Sequence, residues 1–127
     1  RLSLMLAVLE KKAHLKLSNK DVYLNVVGGL RLDERSTDLA VALCVASALM
    51  DVPLPKHTAA LGEVGLTGEV RGVARIDPRL SECARLGYST VLVPKLTKKP
   101  KIDGLTIVPV STVGEAIAYC YEKKPVV

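Results

Sequence analysis

Helical spacing of apolar residues occurs in four stretches of the chain. In residues 2–14 the apolar positions 2, 5, 6 and 9 precede a charged run at 10–12, which predicts an amphipathic helix. A second helix is predicted over residues 36–50, and because residues 39–45 are apolar on every side, we expect it to be buried all round. Two further helices are predicted at 78–86, ended by Gly87, and at 113–122, capped by Ser111 or Thr112.

Short apolar or alternating runs between these helices predict strands. Residues 21–27 alternate, with Val22, Leu24 and Val26 on one face. The remaining candidates are two strands of a hairpin around a turn at 66–68 and two short buried strands, at 58–65, 69–74, 90–93 and 105–110. Together these elements predict an α+β fold in which a mixed sheet is packed with helices.

The length of 127 residues favours a single domain, residues 1–127, with enough chain to bury a core. The hydrophobic fraction is 49% without Trp or Phe, so Leu, Val, Ala and Ile must build that core. No apolar run approaches the ~20 residues of a membrane span, and we expect no membrane partner. Arg1 and the immediate helical pattern indicate a fragment of a longer protein rather than a signal peptide.

Three cysteines, Cys44, Cys83 and Cys120, lie far apart and form no C-x-x-C spacing. An odd, dispersed set is typical of reduced thiols in a cytoplasmic protein and argues against a disulfide framework or a zinc site. His14 and His57 have no partner pattern and are interpreted as surface or loop residues. We therefore expect no metal site in this chain.

The glycine-rich stretch at residues 62–80, GEVGLTGEVRGVARIDPRL, allows several interpretations. A phosphate loop requires G-x-x-x-x-G-K-[ST] or G-x-G-x-x-G, and neither spacing occurs here. Residues 65–68 also match the GXXG loop of KH domains, which clamps a nucleic-acid backbone. The preferred interpretation is a hairpin turn in which Gly68 adopts a positive φ.

The order of elements from about residue 2 to 121 resembles the proteolytic domain of the Lon family, which has the ribosomal S5 domain 2-like fold. Residues 21–26, 36–50, 62–70 and 90–94 carry this resemblance. Lon-type proteases cut peptides with a Ser-Lys dyad. The resemblance places Ser36 at the nucleophile and Asp77 at the lysine.

That substitution argues against proteolysis. A serine hydroxyl needs a neighbouring base, and an ionised Asp77 with a pKa near ~4 is a weak one on a shorter side chain. Residues 33–35, Asp-Glu-Arg, stand where the family has a glycine-rich approach. Ser36 is therefore interpreted as a helix N-cap, and the chain is predicted not to be an enzyme. A residual serine peptidase using Ser36 is the alternative.

Four longer stretches resemble the C-terminal domain of the RadA (Sms) family of bacterial DNA-repair proteins: residues 6–11, 21–29, 38–43 and 62–71. The resemblance implies a cytoplasmic protein that drives branch migration in recombination as a ring on DNA, expected to be a hexamer. It also implies a zinc-binding motif and an ATPase ahead of this domain. ATP, Mg and Zn are expected in those N-terminal parts, and no cofactor is expected in this chain.

The net charge of +5 is compatible with nucleic acid. Two basic groups are candidates for DNA binding: Arg71, Arg75 and Arg79, and the loop residues Lys95, Lys98, Lys99 and Lys101. A solvated surface is the alternative for either group. The scarcity of aromatic residues predicts contact with the DNA backbone, without sequence preference. A purely structural ring-former that touches no DNA is the third hypothesis.

Overall fold

The computed structural model describes residues 2–17, 35–95 and 100–121. Each of the predicted helices is found there, and their bounds are α1 (Leu2–Lys12), α2 (Asp38–Met50), α3 (Ile76–Arg85) and α4 (Val113–Tyr121). A 3-10 turn at Arg35–Thr37 precedes α2. Gly87, with φ +94°, follows the end of α3 as predicted, and Thr112 Oγ1 accepts a hydrogen bond of 3.1 Å from Glu115 N at the start of α4. The strand predicted at 21–27 lies outside the described residues.

The strands are β1 (Thr58–Ala60), β2 (Glu63–Val64), β3 (Val70–Arg71), β4 (Thr90–Pro94) and β5 (Thr106–Val110). Strands β1, β4 and β5 form a parallel sheet in the order β1-β4-β5, while β2 and β3 form the predicted antiparallel hairpin. The single strand predicted at 58–65 is wrong, because the chain breaks at Leu61 and Gly62 and its two halves join different sheets. Within the described residues, parallel and antiparallel pairs are thus separate instead of sharing one mixed sheet.

Strand β5 lies at one edge of the described parallel sheet, and its register places a proline on the outer side. Thr106 N donates to Ser89 O at 2.8 Å and Lys95 N donates to Val110 O at 3.2 Å. Thr106 and Val110 therefore turn their backbone polar groups toward β4, and Pro109, one residue from Val110, turns its nitrogen away. Since proline has no N–H, this position loses no bond of the ladder.

Two apolar clusters cover the two faces of the sheet. Leu92 belongs to the larger cluster with residues of α1, α2 and α4, whereas Val91 and Val93 pack with Leu80 of α3. These three residues of β4 are fully buried. A central strand buried on both faces is expected in a parallel sheet, and it explains why 90–93 is a continuous apolar run.

Helix α2 is not buried all round, contrary to the expectation from its composition. Its buried positions include Leu39, Leu43 and Ala46, but Cys44 and Ala48 are exposed. These two small residues are four apart and lie on one stripe of the helix. None of the helices within the described residues is both long and apolar enough to cross a membrane.

Candidate functional site

Ser36 lies in the 3-10 turn before α2 and is 8% exposed. Its backbone is held by the chain that leaves β1, since Gly62 N donates to Ser36 O at 3.0 Å. Leu39 N donates in turn to Gly62 O at 3.0 Å. These two bonds fix the start of α2 beside the carboxyl end of the parallel sheet, the edge at which open α/β sheets usually place their sites.

The hydroxyl of Ser36 faces an arginine. Arg79 Nη1 donates to Ser36 Oγ at 3.1 Å, and Arg79 Nε donates to Ala74 O at 3.0 Å. A guanidinium is always protonated and has no acceptor, so Arg79 cannot take the proton that a nucleophilic hydroxyl must lose. Asp77, which the Lon resemblance places at the lysine position, is exposed in the first turn of α3.

The interpretation of Ser36 as a helix N-cap is wrong. Thr37 occupies the N-cap of α2, with φ −85°, and its side chain makes no capping bond. Asp38, the next residue, is 2% exposed, and its Oδ2 accepts a hydrogen bond of 3.0 Å from Val64 N in the hairpin. The start of α2 is therefore stabilised by contacts to distant segments instead of by a local cap.

The glycine-rich stretch forms a hairpin whose turn is held by the carboxylate of Glu69. Thr67 donates to Glu69 Oε1 from its hydroxyl at 2.7 Å and from its backbone N at 3.1 Å. Hydrogen bonds to the carboxylate lower the pKa of Glu69 to about 2, and the bond from the Thr67 hydroxyl has the largest effect. A Cβ on Gly65 would overlap the Glu69 carboxylate, and Gly68 has φ +83°. The predicted hairpin is confirmed. The close approach at Gly65 and the positive φ of Gly68 explain why glycine occupies these two positions.

The three arginines predicted as one basic group have different surroundings. Arg71 Nη2 lies 3.1 Å from Glu69 Oε2, and Arg71 Nη1 lies 3.9 Å from Glu63 Oε1. Glu63 also pairs with Arg35 Nη1 at 3.3 Å, a contact that the sequence analysis did not identify. The charge of Arg71 is thus compensated by neighbouring carboxylates, which weakens its case as a phosphate contact.

Arg75 and Arg79 lie on one face of α3. They line a surface pocket of about 350 Å³ together with Pro78 and Glu82. Arg75 is exposed and adopts a left-handed conformation, φ 58°, at the N-cap of the helix. Pro78, Arg79 and Glu82 follow Arg75 by three, four and seven positions, and this spacing places residues on the same face of a helix.

The predicted basic loop is only partly described. Lys95 directly follows β4 and Lys101 precedes β5, and both are exposed. Lys95 lies at the carboxyl end of β4, and Lys101 lies at the amino end of β5. Because the two strands are parallel, these are opposite ends of the sheet. The two lysines thus belong to different surfaces, while Lys98 and Lys99 lie outside the described residues.

His14 and His57 are exposed, as predicted. In the described part of the chain no group of three or more His, Cys, Asp or Glu side chains is arranged to hold a metal ion. Cys44, Cys83 and Cys120 are free thiols, and burial raises the pKa of the Cys120 thiol.

Comparison with known proteins identifies relatives over most of the chain. DNA repair protein RadA of Streptococcus pyogenes serotype M3 is 46% identical over 119 residues, which cover 92% of this chain and 26% of the relative. Proteins of the same name from Listeria monocytogenes and Bacillus subtilis are 46% and 45% identical over 121 residues. The chain therefore spans about a quarter of the length of these relatives, 26%.

A protein-family model described as subunit ChlI of Mg-chelatase matches residues 5–97. This range contains most of α1, all of α2 and α3, the parallel strands β1 and β4, the hairpin and the Ser36–Arg79 contact. The match extends over well more than half of the chain. The chain accordingly belongs to the family described as subunit ChlI of Mg-chelatase, and DNA repair proteins named RadA are among its homologues.

Proposed function

We propose that this chain is a non-catalytic, Lon-like domain of a RadA-type DNA-repair protein, in which it supports ring assembly and contacts the DNA backbone. Homologues named for DNA repair at 45–46% identity over 92% of the chain support the repair role. The family description names a magnesium chelatase subunit, but the relatives named for repair match a larger share of the chain, 92%.

The Ser36–Arg79 contact carries the non-catalytic part of the proposal. A Lon-type dyad requires a lysine that accepts the serine proton, and the group at 3.1 Å from Ser36 Oγ is a guanidinium. Ser36 is also 8% exposed, so a peptide carbonyl has little access to its hydroxyl. Without the dyad, we expect the domain to act by contacting other molecules, through ring assembly and DNA binding.

The DNA-contact part of the proposal rests on exposed cations near the start of α3 and the end of β4. Arg75 is exposed beside a pocket of about 350 Å³, and Lys95 is exposed after β4. Phosphate contacts need accessible positive charge and carry no sequence information. We propose Arg75 and Lys95 as principal contacts, with Arg79 as a secondary one and Arg71 contributing little.

The activity of the whole protein is part of the proposal. Since the chain spans 26% of the relatives' length, ATP, Mg²⁺ and Zn²⁺ are assigned to the parts of a longer cytoplasmic protein that precede this domain. In that protein the domain supports a hexameric ring that moves on DNA. The ring requires a contact between copies that closes by rotation.

The test is a titration of two unrelated duplexes and one single strand by fluorescence anisotropy at several salt concentrations. Binding should not depend on sequence, and log K should fall by ~0.9 with log salt for each phosphate neutralised on the duplexes. Arg75→Ala and Lys95→Ala should each weaken binding and flatten that slope. Lys56→Ala, which removes an exposed lysine from the loop before β1, is the matched control. Unchanged binding in both test variants contradicts the proposed contacts.

A further inference from the structure

The end of α1 and the segment that follows it carry exposed lysines, which we name the α1 lysines (Lys11, Lys12 and Lys16). Lys11 and Lys12 lie in the last turn of the helix, Lys16 lies beyond it, and all three side chains are exposed. Among the residues that the structure describes, none of the three is in an ion pair. They were not among the basic groups predicted from the sequence, and their charge is available to a partner.

A left-handed turn fixes the backbone that carries the α1 lysines. His14 has φ 59°, and Ala13 N and Leu15 N both donate to Leu9 O, at 3.1 and 3.2 Å. Such bonds are typical of a helix that ends at a left-handed residue. Leu15 and Leu17 then pack in or against the larger apolar cluster. The chain is therefore held on both sides of the helix end, and the α1 lysines project from a defined turn.

Lys12 lies at the carboxyl end of the parallel sheet, beside the β2–β3 turn. A Cβ built on Gly68 would lie 3.0 Å from Lys12 Cβ, so the end of α1 packs against the hairpin. Gly68 O accepts a hydrogen bond of 2.8 Å from Val113 N. Lys95 N donates to Val110 O at 3.2 Å. Since these two valines are three residues apart, Lys12 and Lys95 belong to one surface at this end of the sheet.

The hairpin beside these lysines contributes little net charge. Arg71 lies 3.1 Å from the Glu69 carboxylate, and Arg35 is paired with Glu63 at 3.3 Å. Arg79, at the start of α3, already donates to Ser36 Oγ. The exposed cations that remain at the carboxyl end are therefore Lys11, Lys12, Lys16, Lys95 and Arg75.

The excess of positive charge is confined to this end of the described structure. The carboxylates left at the carboxyl end are fewer than the exposed cations, and Glu115 among them accepts a hydrogen bond of 3.3 Å from Ser111 N. They are Glu10, Asp77 and Glu115. Around the amino end, Lys56 and Lys101 are balanced by Asp51 and Asp103, and Arg85 is paired with Glu82. A polyanion is therefore attracted to the carboxyl end and not to the amino end.

We propose that the α1 lysines bind phosphates of the same DNA duplex that Arg75 and Lys95 contact. Phosphate contacts need accessible positive charge, and the α1 lysines meet this condition better than the paired Arg71. Duplex DNA is stiff over the width of a small domain, so one duplex laid across the carboxyl end reaches both groups. The identity of the partner rests on the proposed function, whereas the α1 surface and the path of the duplex go beyond it.

Lysine acetylation read by mass spectrometry maps this path in the full chain. With one duplex per chain, the α1 lysines and Lys95 should lose reactivity together, whereas Lys56 and Lys101 at the amino end should not. Protection of Lys95 without the α1 lysines overturns the inference and leaves the proposed DNA contact standing. Protection of none of these lysines contradicts both. Equal protection by polyglutamate at the same concentration of negative charge would show a surface for any polyanion and overturn the assignment to DNA.

A matched pair of variants separates position from overall charge. Lys11→Gln/Lys12→Gln and Lys56→Gln/Lys101→Gln each remove two positive charges. In the first variant the slope of log K against log salt should become shallower by ~1.8, since ~0.9 is lost with each phosphate contact. In the second variant the slope should not change. Equal slopes in the two variants overturn the inference.

The same measurement distinguishes DNA binding from a purely structural role of these lysines. Lysines in the last turn of a helix also stabilise it through the helix dipole, and that role alone leaves the salt slope of every folded variant unchanged. Lys11→Arg/Lys12→Arg keeps both charges and should keep the parent slope. Circular dichroism establishes that the variants fold. A slope that falls in the arginine variant as far as in the glutamine variant contradicts the phosphate contacts.

Discussion

Arg79 and Ser36 are 43 positions apart in sequence, and a hydrogen bond of 3.1 Å joins the guanidinium of one to the hydroxyl of the other. The bond links α3, which covers one face of the parallel sheet, to the turn that begins α2 on the other. Its chemistry is that of a structural clamp, because the donor cannot become a base. The contact leads to one prediction about the stability of the domain and one about the proposed absence of proteolysis.

The first prediction concerns the clamp itself. Arg79→Ala should lower the free energy of unfolding by about 1–3 kcal/mol, since it leaves a mostly buried hydroxyl and the Ala74 carbonyl without their charged donor. Urea denaturation measures the change. Arg75→Ala, an exposed neighbour on the same helix, should change stability by no more than about 0.5 kcal/mol. Similar losses in both variants would show that the clamp contributes nothing specific.

The second prediction concerns catalysis at Ser36. Serine-directed acylating probes should not label this residue, and the chain should not cleave unstructured protein, because a guanidinium faces the hydroxyl. Asp77→Lys should not create activity, as residue 77 is exposed in the first turn of α3. Mass spectrometry after labelling checks the first point and casein digestion the second. Stoichiometric acylation of Ser36 would disprove this prediction and revive the peptidase alternative.

The third prediction concerns the buried carboxylate at the start of α2. Asp38→Ala should lower the free energy of unfolding by at least about 1–3 kcal/mol. Val64 N would lose its acceptor, the carboxylate of a residue that is only 2% exposed. Asp38→Asn keeps an oxygen that can accept the same bond and should cost less. Chemical denaturation of the pair decides the matter. If the asparagine variant is the less stable of the two, the acceptor role is wrong.

The fourth prediction concerns pH and the hairpin turn. Folding lowers the pKa of Glu69 from 4.5 to about 2, with the Thr67 hydroxyl as the main cause. A lowered carboxylate pKa stabilises the fold above pH 4.5, and this contribution is lost as the pH falls from 4.5 towards 2. Glu69→Gln should therefore be less stable than the parent at pH 7, and the two stability curves should converge near pH 2. A difference that stays constant over this range would contradict the assignment.

The helices could be predicted from the sequence because their signals are local. The spacing in α1, Pro78 in the first turn of α3 and the Thr112 cap of α4 each act within a few residues. The same holds for the hairpin, in which Gly68 supplies a positive φ. Local patterns do not report which strand pairs with which, so the break that sends Thr58–Ala60 to one sheet and Glu63–Val64 to another was missed.

The candidate site was predictable only in part, for the same physical reason. Ser36 was predicted to be a helix N-cap, but Thr37 occupies that position and Ser36 lies in the preceding 3-10 turn. Its partner, Arg79, is 43 positions away and could not be predicted from local sequence. The predicted basic group 71, 75 and 79 is divided because Glu63 and Glu69 compensate Arg71. Charge counted along a sequence takes no account of such pairing, which depends on the β2–β3 register.

Pro109 has a consequence for how copies of this protein can meet. Its nitrogen is on the outer side of β5, so that side of the edge strand lacks a donor between Ile107 and the end of the strand. An incoming chain that tried to extend the sheet would leave one of its carbonyls without a partner. Within the described sheet, Pro109 therefore disfavours the addition of a further strand to β5, the kind of pairing that leads to aggregates.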